Sequence, residues 1–249
     1  MSSGISRFFK IASDRFFWGQ HPEAALRYIP VVKEIKKRNL ENSRILEIGS
    51  GSPGIVPYLK KKIDGLDVDF SGPQTKYLRK IKGSANDLPF KKNYYDVSFS
   101  VDVLEHLHQK NREQAIYEQF RVARKLSVIV VPCGKNSESQ DKILRERWNK
   151  LFKKNNQFLD EHIKYGLSEK SEILQFIKNS LTRLKRKAKI NSYPNLNISV
   201  RGILMKTWIN RSKLLYYLYL KGFLTLIPIL KFCNFGKTYR HVFVIEFAS

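Results

Sequence analysis

The segment that most limits the possible folds is a glycine cluster between a short apolar run and a helical pattern. Residues 44–48 read Arg-Ile-Leu-Glu-Ile, and Gly49, Gly51 and Gly54 follow at once. Glycine adopts left-handed backbone conformations at little steric cost, so the cluster predicts a tight turn out of a buried strand. The apolar pattern then continues as a predicted helix over 55–62, with Pro57 in its first turn. A strand, a glycine turn and a helix in this order predict an α/β fold.

Further short strands and helices follow with the same alternation. We predict strands at 65–69, 81–84, 95–101 and 125–131, and helices at 75–81 and 112–123. Strands that alternate with helices indicate βαβ units and a mostly parallel sheet with both faces covered. We interpret residues 1–249 as one domain, divided into an N-terminal helical cap (1–43, with a kink or break at Pro30), a cofactor-binding core (44–135), a helical insertion (about 136–235) and a closing strand (239–247).

Cysteine use and the N-terminal sequence bear on the compartment. Cys133 and Cys233 are the only cysteines in 249 residues, which excludes a disulfide scaffold and an all-cysteine metal site. The first residues contain no apolar run of the length a signal peptide needs. We therefore expect a reducing, cytoplasmic location.

The chain is strongly basic, with 46 Lys and Arg against 22 Asp and Glu and a formal net charge of +24. Such a surplus attracts polyanions, whether nucleic acid, anionic lipid headgroups or phosphorylated substrates. The charge therefore indicates a polyanionic partner but does not distinguish between these three kinds.

The glycine turn is suited to a cofactor that contains adenosine. Asp67 ends the second predicted strand, 18 residues after Gly49, where a carboxylate can accept hydrogen bonds from both ribose hydroxyls. A nicotinamide dinucleotide and S-adenosylmethionine both fit this pattern. Glu47 favours the second, because a carboxylate near a pyrophosphate is unfavourable whereas one near an ammonium and a sulfonium is favourable.

Four segments in order resemble the class I S-adenosylmethionine-dependent methyltransferases of the small-molecule type. They are Leu46–Gly51, Gly65–Asp67, Gly83–Phe90 and Tyr95–Leu107. The resemblance implies a Rossmann-like fold with a mostly parallel seven-stranded sheet, helices on both faces and a helical insertion before the last strand. It also implies S-adenosylmethionine as the cofactor.

The same resemblance implies the cofactor-binding residues. Those near the methionine and ribose would be Glu47, Gly49, Ser50, Gly51 and Asp67, those beside the adenine Ser84 and Ala85, and Ser100 would close the pocket. This chain departs from the family pattern at two positions that bear on the affinity for the cofactor. The family often has Asp where Ser84 stands, and the position of its third loop glycine is occupied by Pro53, with the glycine one residue later at Gly54.

A candidate acceptor site lies in the insertion. The segment Leu159–Gly166 resembles one in methyltransferases encoded among polysaccharide-assembly enzymes, and Glu161, His162 and Tyr165 bring three polar groups to about one helical turn. A solvated helix end is the alternative interpretation. Apart from His106 and His108 no two histidines have ligand spacing, so we expect no metal site.

A basic and apolar stretch over 183–232 suggests peripheral contact with an anionic membrane. Arg183–Lys189 holds five cations in seven residues, and Leu214–Leu230 is an apolar run broken by Lys221, Gly222 and Pro228. This run is shorter than the about 20 apolar residues of a membrane-spanning helix. It could cap the acceptor site, lie in a membrane interface, cover the sheet or form a dimer contact.

We therefore expect an S-adenosylmethionine-dependent methyltransferase that acts on a small-molecule or glycan- or lipid-linked acceptor. A nucleic-acid (RNA) methyltransferase is an alternative supported by charge alone. A nicotinamide-dependent oxidoreductase and a non-catalytic binding protein are further alternatives.

Overall fold

The computed structural model describes residues 21–70 and 75–248 and contains a seven-stranded sheet in the order β3-β2-β1-β4-β5-β7-β6. Strands β1 to β5 are parallel, and β7 runs antiparallel to both β5 and β6. The predicted mostly parallel, seven-stranded Rossmann-like sheet is confirmed. The strands are β1 (Ile45–Ile48), β2 (Ile63–Asp67), β3 (Leu78–Lys82), β4 (Tyr95–Val101), β5 (Ala123–Pro132), β6 (Ala188–Asn197) and β7 (Thr238–Phe247).

Helices cover both faces of the sheet. The helices are α1 (Pro22–Lys37), α2 (Val56–Leu59), α3 (Gln109–Val122), α4 (Gly134–Phe152), α5 (Gln157–Tyr165), α6 (Lys170–Arg183), α7 (Ile198–Trp208), α8 (Lys213–Tyr217), α9 (Phe223–Thr225) and α10 (Ile227–Leu230). Alternate residues of β5 point to opposite faces: Val128 and Val130 pack with α1 and α2, whereas Ile129 and Val131 pack with α3 and α6. A 3₁₀ turn (Leu104–His106) follows β4, and a π-helical turn (Leu218–Gly222) joins α8 to α9.

Two predicted helices near the glycine turn are wrong in extent or type. Residues 75–81 were expected to be helical, but the chain forms the edge strand β3, paired with β2 alone. Only Leu78 of this strand is buried, so its sequence is mostly polar and the strand was predicted three residues too late, at 81–84. The helix predicted over 55–62 ends at Leu59, because Lys60 adopts a left-handed backbone conformation with φ +55°.

The predicted insertion is not continuously helical. Strand β6 divides it, so that α4, α5 and α6 precede the strand and α7 to α10 follow it. In the predicted N-terminal cap, α1 continues through Pro30 with no break, and residues 1–20 of that cap lie outside the described residues. Among the described helices, none combines the length and apolar character needed to cross a membrane.

Candidate active site

A cavity of about 870 Å³ opens at the carboxyl ends of β1, β2, β3 and β4. The strand order reverses between β1 and β4, and the crevice at such a switch point is the usual ligand site of an open α/β sheet. One wall is the loop after β1, and the opposite wall comes from α1, α5, α7 and the π-helical turn. The cavity therefore has a half that faces the glycine loop and a half that faces the helical insertion.

The glycine loop adopts left-handed backbone conformations at each of its three glycines, with φ values of +71° at Gly49, +53° at Gly51 and +50° at Gly54. A Cβ atom added to Gly49 would lie 2.3 Å from Val103, and one added to Gly54 would lie 2.2 Å from Glu47. A Cβ atom at Gly51 would meet nothing within 4 Å. Gly51 therefore presents bare backbone to the cavity, which lets a ligand approach it closely.

Asp67 fixes the loop from the end of β2. Its Oδ2 accepts a hydrogen bond from the backbone N–H of Gly51 at 2.7 Å, and its Oδ1 accepts one from the N–H of Asp69 at 3.1 Å. Asp67 also lines the cavity, as a ribose-binding carboxylate would.

Glu47 lies beneath the loop and is not among the residues that line the cavity. It is fully buried and accepts hydrogen bonds from Tyr28 Oη and from the backbone N–H of Ile55, both at 2.8 Å. Burial raises the pKa of Glu47 to about 8, so its carboxyl is largely protonated at neutral pH. Glu47 therefore holds the loop together, and its charge is no longer an argument for one cofactor over another.

The other predicted cofactor residues divide into two groups. Ser50, Ser84 and Ala85 line the cavity beside Gly49 and Gly51. Ser100 does not: it is buried in β4, and its hydroxyl has no hydrogen-bond partner. Asp102 and Val103, just beyond the strand, line the cavity instead.

The predicted acceptor residues are only partly brought together. Glu161 and His162 on α5 line the cavity, but Tyr165 does not. Tyr165 is the last residue of α5, and its backbone carbonyl accepts hydrogen bonds from Gln109 and Arg112 on α3. It serves the contact between α3 and α5.

Glu105 and His106, in the 3₁₀ turn after β4, face Glu161 and His162 across the cavity. His106 Nδ1 lies 2.7 Å from Glu161 Oε2, and His162 Nε2 lies 3.9 Å from Glu105 Oε1. Both oxygens of Glu105 and His162 Nε2 are buried and have no hydrogen-bond partner in the part of the chain that the structure describes. Burial, reinforced by the negative charge of Asp102, raises the pKa of Glu105 to about 8.

A network of buried charges supports this half of the cavity. Asp102 has a left-handed backbone conformation, φ +53°, and accepts hydrogen bonds from Arg240 at 2.6 and 2.7 Å and from Arg27 at 3.1 Å. Arg240 also pairs with Glu23. Burial opposes the charge of Asp102, but Arg240 and Arg27 outweigh it and lower the pKa of Asp102.

His162 belongs to a second part of that network. Its Nδ1 lies 2.8 Å from Asp141 Oδ2, and Asp141 also accepts hydrogen bonds from Arg201 at 2.9 Å and from the Tyr239 hydroxyl at 2.7 Å. Burial opposes the charged form of His162, but the bond with Asp141 and the charge of Glu105 raise its pKa overall. Sequence reasoning missed Asp141 and Arg201, because no local pattern links them to His162.

Residues 46–131 match the protein family described as a methyltransferase domain. This stretch runs from β1 through β5 and contains the glycine loop, Asp67 and the turn after β4. This stretch therefore matches a methyltransferase domain. Its predicted family resemblance is thereby confirmed.

Solved structures of other methyltransferases have the same fold. The methyltransferase domain of bacterial CtHen1 is 14% identical, with a TM-score of 0.51, and the match covers 90% of this chain and 98% of that one. A protein from Anabaena variabilis, described as a methyltransferase from an antibiotic biosynthesis pathway, is 15% identical, also with a TM-score of 0.51, covering 88% and 98%. At 14% and 15% identity, these matches show a shared fold and nothing further about this chain.

Proposed function

We propose that the protein binds S-adenosylmethionine against the glycine loop and methylates a hydroxyl of a small-molecule or lipid-linked acceptor held in the other half of the cavity. The observation that carries the proposal is the cavity itself, which joins the loop of the methyltransferase domain to Glu105, His106 and His162. A single cavity that holds both molecules would bring a donor and an acceptor into the proximity that methyl transfer requires.

The residues on the loop side suit this cofactor. Gly49 and Gly51 provide bare backbone, Asp67 offers carboxylate lone pairs for a ribose, and Ser84 and Ala85 border the place for an adenine. Helix α2, which follows the loop, is only four residues long. It therefore supplies little of the N-terminal dipole with which a longer helix binds a pyrophosphate, which disfavours a dinucleotide.

The residues on the acceptor side supply basic groups. When bound, S-adenosylmethionine offers a methyl group that is transferred to an acceptor oxygen, which leaves S-adenosylhomocysteine and releases the acceptor proton. Nε2 of His162 and the carboxylate oxygens of Glu105, which have no hydrogen-bond partner among the described residues, are placed to take up that proton when these groups are in their deprotonated forms. The hydrogen bond between His162 Nδ1 and the buried Asp141 holds the imidazole in place.

Ligand-dependent unfolding tests the cofactor. S-adenosylmethionine and S-adenosylhomocysteine are expected to raise the midpoint of thermal unfolding, because a ligand that binds only the folded form stabilises it by mass action. NAD and NADP are expected to leave the midpoint unchanged. Stabilisation by NAD alone would favour an oxidoreductase, and stabilisation by none of the four would reject the proposal.

We further propose that the acceptor is lipid-linked and that the segment 213–235 docks on an anionic membrane. This segment exposes a series of large apolar side chains that a protein surface normally avoids. They are Leu214, Tyr216, Tyr217, Leu218, Leu226, Ile229, Phe232 and Phe235. Exposed Lys213, Lys231 and Lys237 flank them and complement a negatively charged surface.

The same segment borders the cavity, so a membrane docked on this segment would lie next to the proposed acceptor site. Tyr216 and Tyr219 both line the cavity, and the Tyr219 hydroxyl lies 2.9 Å from His21 Nδ1. Among the cations at 183–189, Arg186 makes its contacts within the fold: it donates hydrogen bonds to three backbone carbonyls and stacks on Phe247. The proposal therefore rests on 213–235 and not on the cationic cluster.

Sedimentation with vesicles tests this docking. The protein is expected to sediment with vesicles that contain anionic lipid, and I229S/F232S is expected to lower the partition coefficient about tenfold. I143S, which alters an apolar side chain of similar exposure on α4, is the matched control and should sediment as the wild type does. Equal sedimentation of both variants, or tight binding to RNA with none to vesicles, would overturn the proposal.

A further inference from the structure

We propose that Glu105, His106 and His162 form a binding site for a divalent transition-metal ion, which holds and activates the acceptor oxygen. The inference rests on the proposed methyl transfer and adds a metal to its acceptor side. Each residue offers one ligand atom, and these three atoms lie within 4.8 Å of one another. Two imidazoles and one carboxylate, with further positions open, are the ligand set of many catalytic metal sites.

The strongest support is that buried polar atoms at this point lack partners. Glu105 is 1% exposed, yet among residues 21–70 and 75–248 neither of its carboxylate oxygens has a hydrogen-bond partner, and Nε2 of the buried His162 has none there either. Burying a carboxyl without a hydrogen bond is costly, so such groups in native proteins normally have a function. A cation between Glu105 and His162 would satisfy both groups.

Both histidines are oriented as metal ligands are. His162 Nδ1 bonds to Asp141 and His106 Nδ1 bonds to Glu161, which in each case leaves Nε2 to bind an ion. Metal-binding histidines almost always have such a partner on the other ring nitrogen, because it fixes the tautomer and raises the basicity of the ligand. The roles of Glu161 and Asp141 are then those of positioning residues.

The distances allow an ion after a small closure. Ligand atoms around a tetrahedral Zn²⁺ lie about 3.4 Å apart when the bonds are about 2.1 Å long. His162 Nε2 and Glu105 Oε1 are 3.9 Å apart, and the ligand atoms of all three residues lie within 4.8 Å of one another, so closure by up to about 1.4 Å is needed. Side-chain adjustment of this size lies within the freedom of the Glu105 carboxylate, which no hydrogen bond restrains.

The position of the three residues in the cavity indicates what a bound ion would do. All three residues line the cavity, and its other half contains the glycine loop. With a cation bound, Glu105 and His162 would be ligands in place of the proton acceptors described above. The cation would lower the pKa of an acceptor hydroxyl, so that the proton goes to solvent water and the oxygen keeps its lone pair for the methyl group. The expectation of no metal site came from spacing along the sequence, which does not reveal that His106 and His162 meet.

Cobalt binding tests the site without relying on catalysis. The whole chain is titrated with Co²⁺ in the absence of S-adenosylmethionine, and the visible absorption of Co²⁺ together with calorimetry reports coordination and stoichiometry. We expect one ion per chain and a dissociation constant weakened about tenfold or more in E105Q and H106Q. H108Q is the matched control, because His108 is exposed and does not line the cavity.

The outcomes separate this inference from the proposed function. E105Q keeps the size of the side chain and removes no hydrogen bond to the described residues, so its circular dichroism should match that of the wild type. Its unfolding midpoint reports the loss of the contact with His162. Absence of Co²⁺ binding, or equal binding by E105Q and the wild type, would overturn the metal site even if S-adenosylmethionine still stabilises the protein. Metal binding without stabilisation by S-adenosylmethionine would retain the site and reject the methyl transfer.

Discussion

His162 Nδ1 and Asp141 Oδ2 lie 2.8 Å apart, and this hydrogen bond directs the other ring nitrogen of His162 toward Glu105. Asp141 is fully buried and is itself held by Arg201 and Tyr239. The acceptor side of the cavity is therefore positioned by helices α4 and α7 and strand β7, which all lie outside residues 46–131. The methyltransferase domain supplies the loop, and the insertion supplies much of the opposite wall.

Asp141→Asn should disturb the orientation of His162, and it should also lower stability because Asp141 pairs with the buried Arg201. The amide no longer attracts the Nδ1 proton of His162 as a carboxylate does, so the orientation and basicity of Nε2 change. Loss of such a carboxylate partner typically costs about 10- to 100-fold in metal affinity or activity. Co²⁺ titration and methyl-transfer assays on D141N measure this loss, and Glu138→Gln, on the same helix, is the control. Unaltered Co²⁺ affinity in a folded D141N protein would contradict the assigned role of Asp141.

Gly51→Ala should weaken cofactor binding far more than its effect on stability would suggest. Gly51 has φ +53° and an added Cβ atom would meet no protein atom, so the folding cost is that of a left-handed alanine, about 1 kcal/mol. The new methyl group would occupy space at the cavity wall, and we expect the dissociation constant for S-adenosylmethionine to rise about tenfold or more. Isothermal calorimetry measures this change.

Gly236→Ala is the matched control for this substitution. Gly236 has φ +67° and an added Cβ atom would lie 3.7 Å from Asn197, outside the cavity. The two variants should lose similar stability, but only G51A should lose affinity. Equal affinities would show that the Gly51 backbone does not contact the cofactor.

The interior of the sheet was predictable from the sequence, and its edges were not. Strands β1 and β4 are buried along their whole length. Strand β1 appears as a short apolar run, and β4 as aromatic and valine residues that alternate with Asp96, Ser98 and Ser100. Strands β3 and β6 form the two edges of the sheet, and much of each is partly exposed. Their sequences are correspondingly polar, which explains the wrong helix at 75–81 and the undivided insertion.

In the candidate site, residues related by local spacing along the chain could be predicted, whereas contacts between distant residues could not. The glycine loop and Asp67 were found because strand, turn and carboxylate have a fixed spacing along the chain. Arg240 and Asp102 meet across 138 residues, and Arg201 and Asp141 across 60. Pairing of this kind depends on the fold, so the sequence reveals the residue types but not their contacts.

Arg240→Met should destabilise the protein strongly. The substitution removes two hydrogen bonds from Asp102 and the ion pair with Glu23, and it leaves buried carboxylates with less compensation. Removing one partner of a buried pair typically costs about 3–5 kcal/mol. Urea unfolding measures the free energy of unfolding. Arg79→Met is the control, because the Arg79 side chain is 58% exposed in its pair with Asp64 and should cost less than about 1 kcal/mol. Equal losses in the two variants would contradict the structural importance of Arg240.

Glu47→Gln should change how stability depends on pH. The pKa of Glu47 is about 8 in the folded protein, above its ordinary value of 4.5, because the carboxyl is buried. Between these pH values the folded state keeps a proton that the unfolded chain has released, so a rise in pH favours unfolding by up to about 1.4 kcal/mol per pH unit. Glutamine carries no such proton, and its amide can still bond to Tyr28 and Ile55. The free energy of unfolding of the wild type should therefore fall relative to that of E47Q as the pH rises from 5.5 to 7.5. Because both proteins share every other titrating group, parallel pH profiles in urea would mean that Glu47 is already ionised beneath the loop.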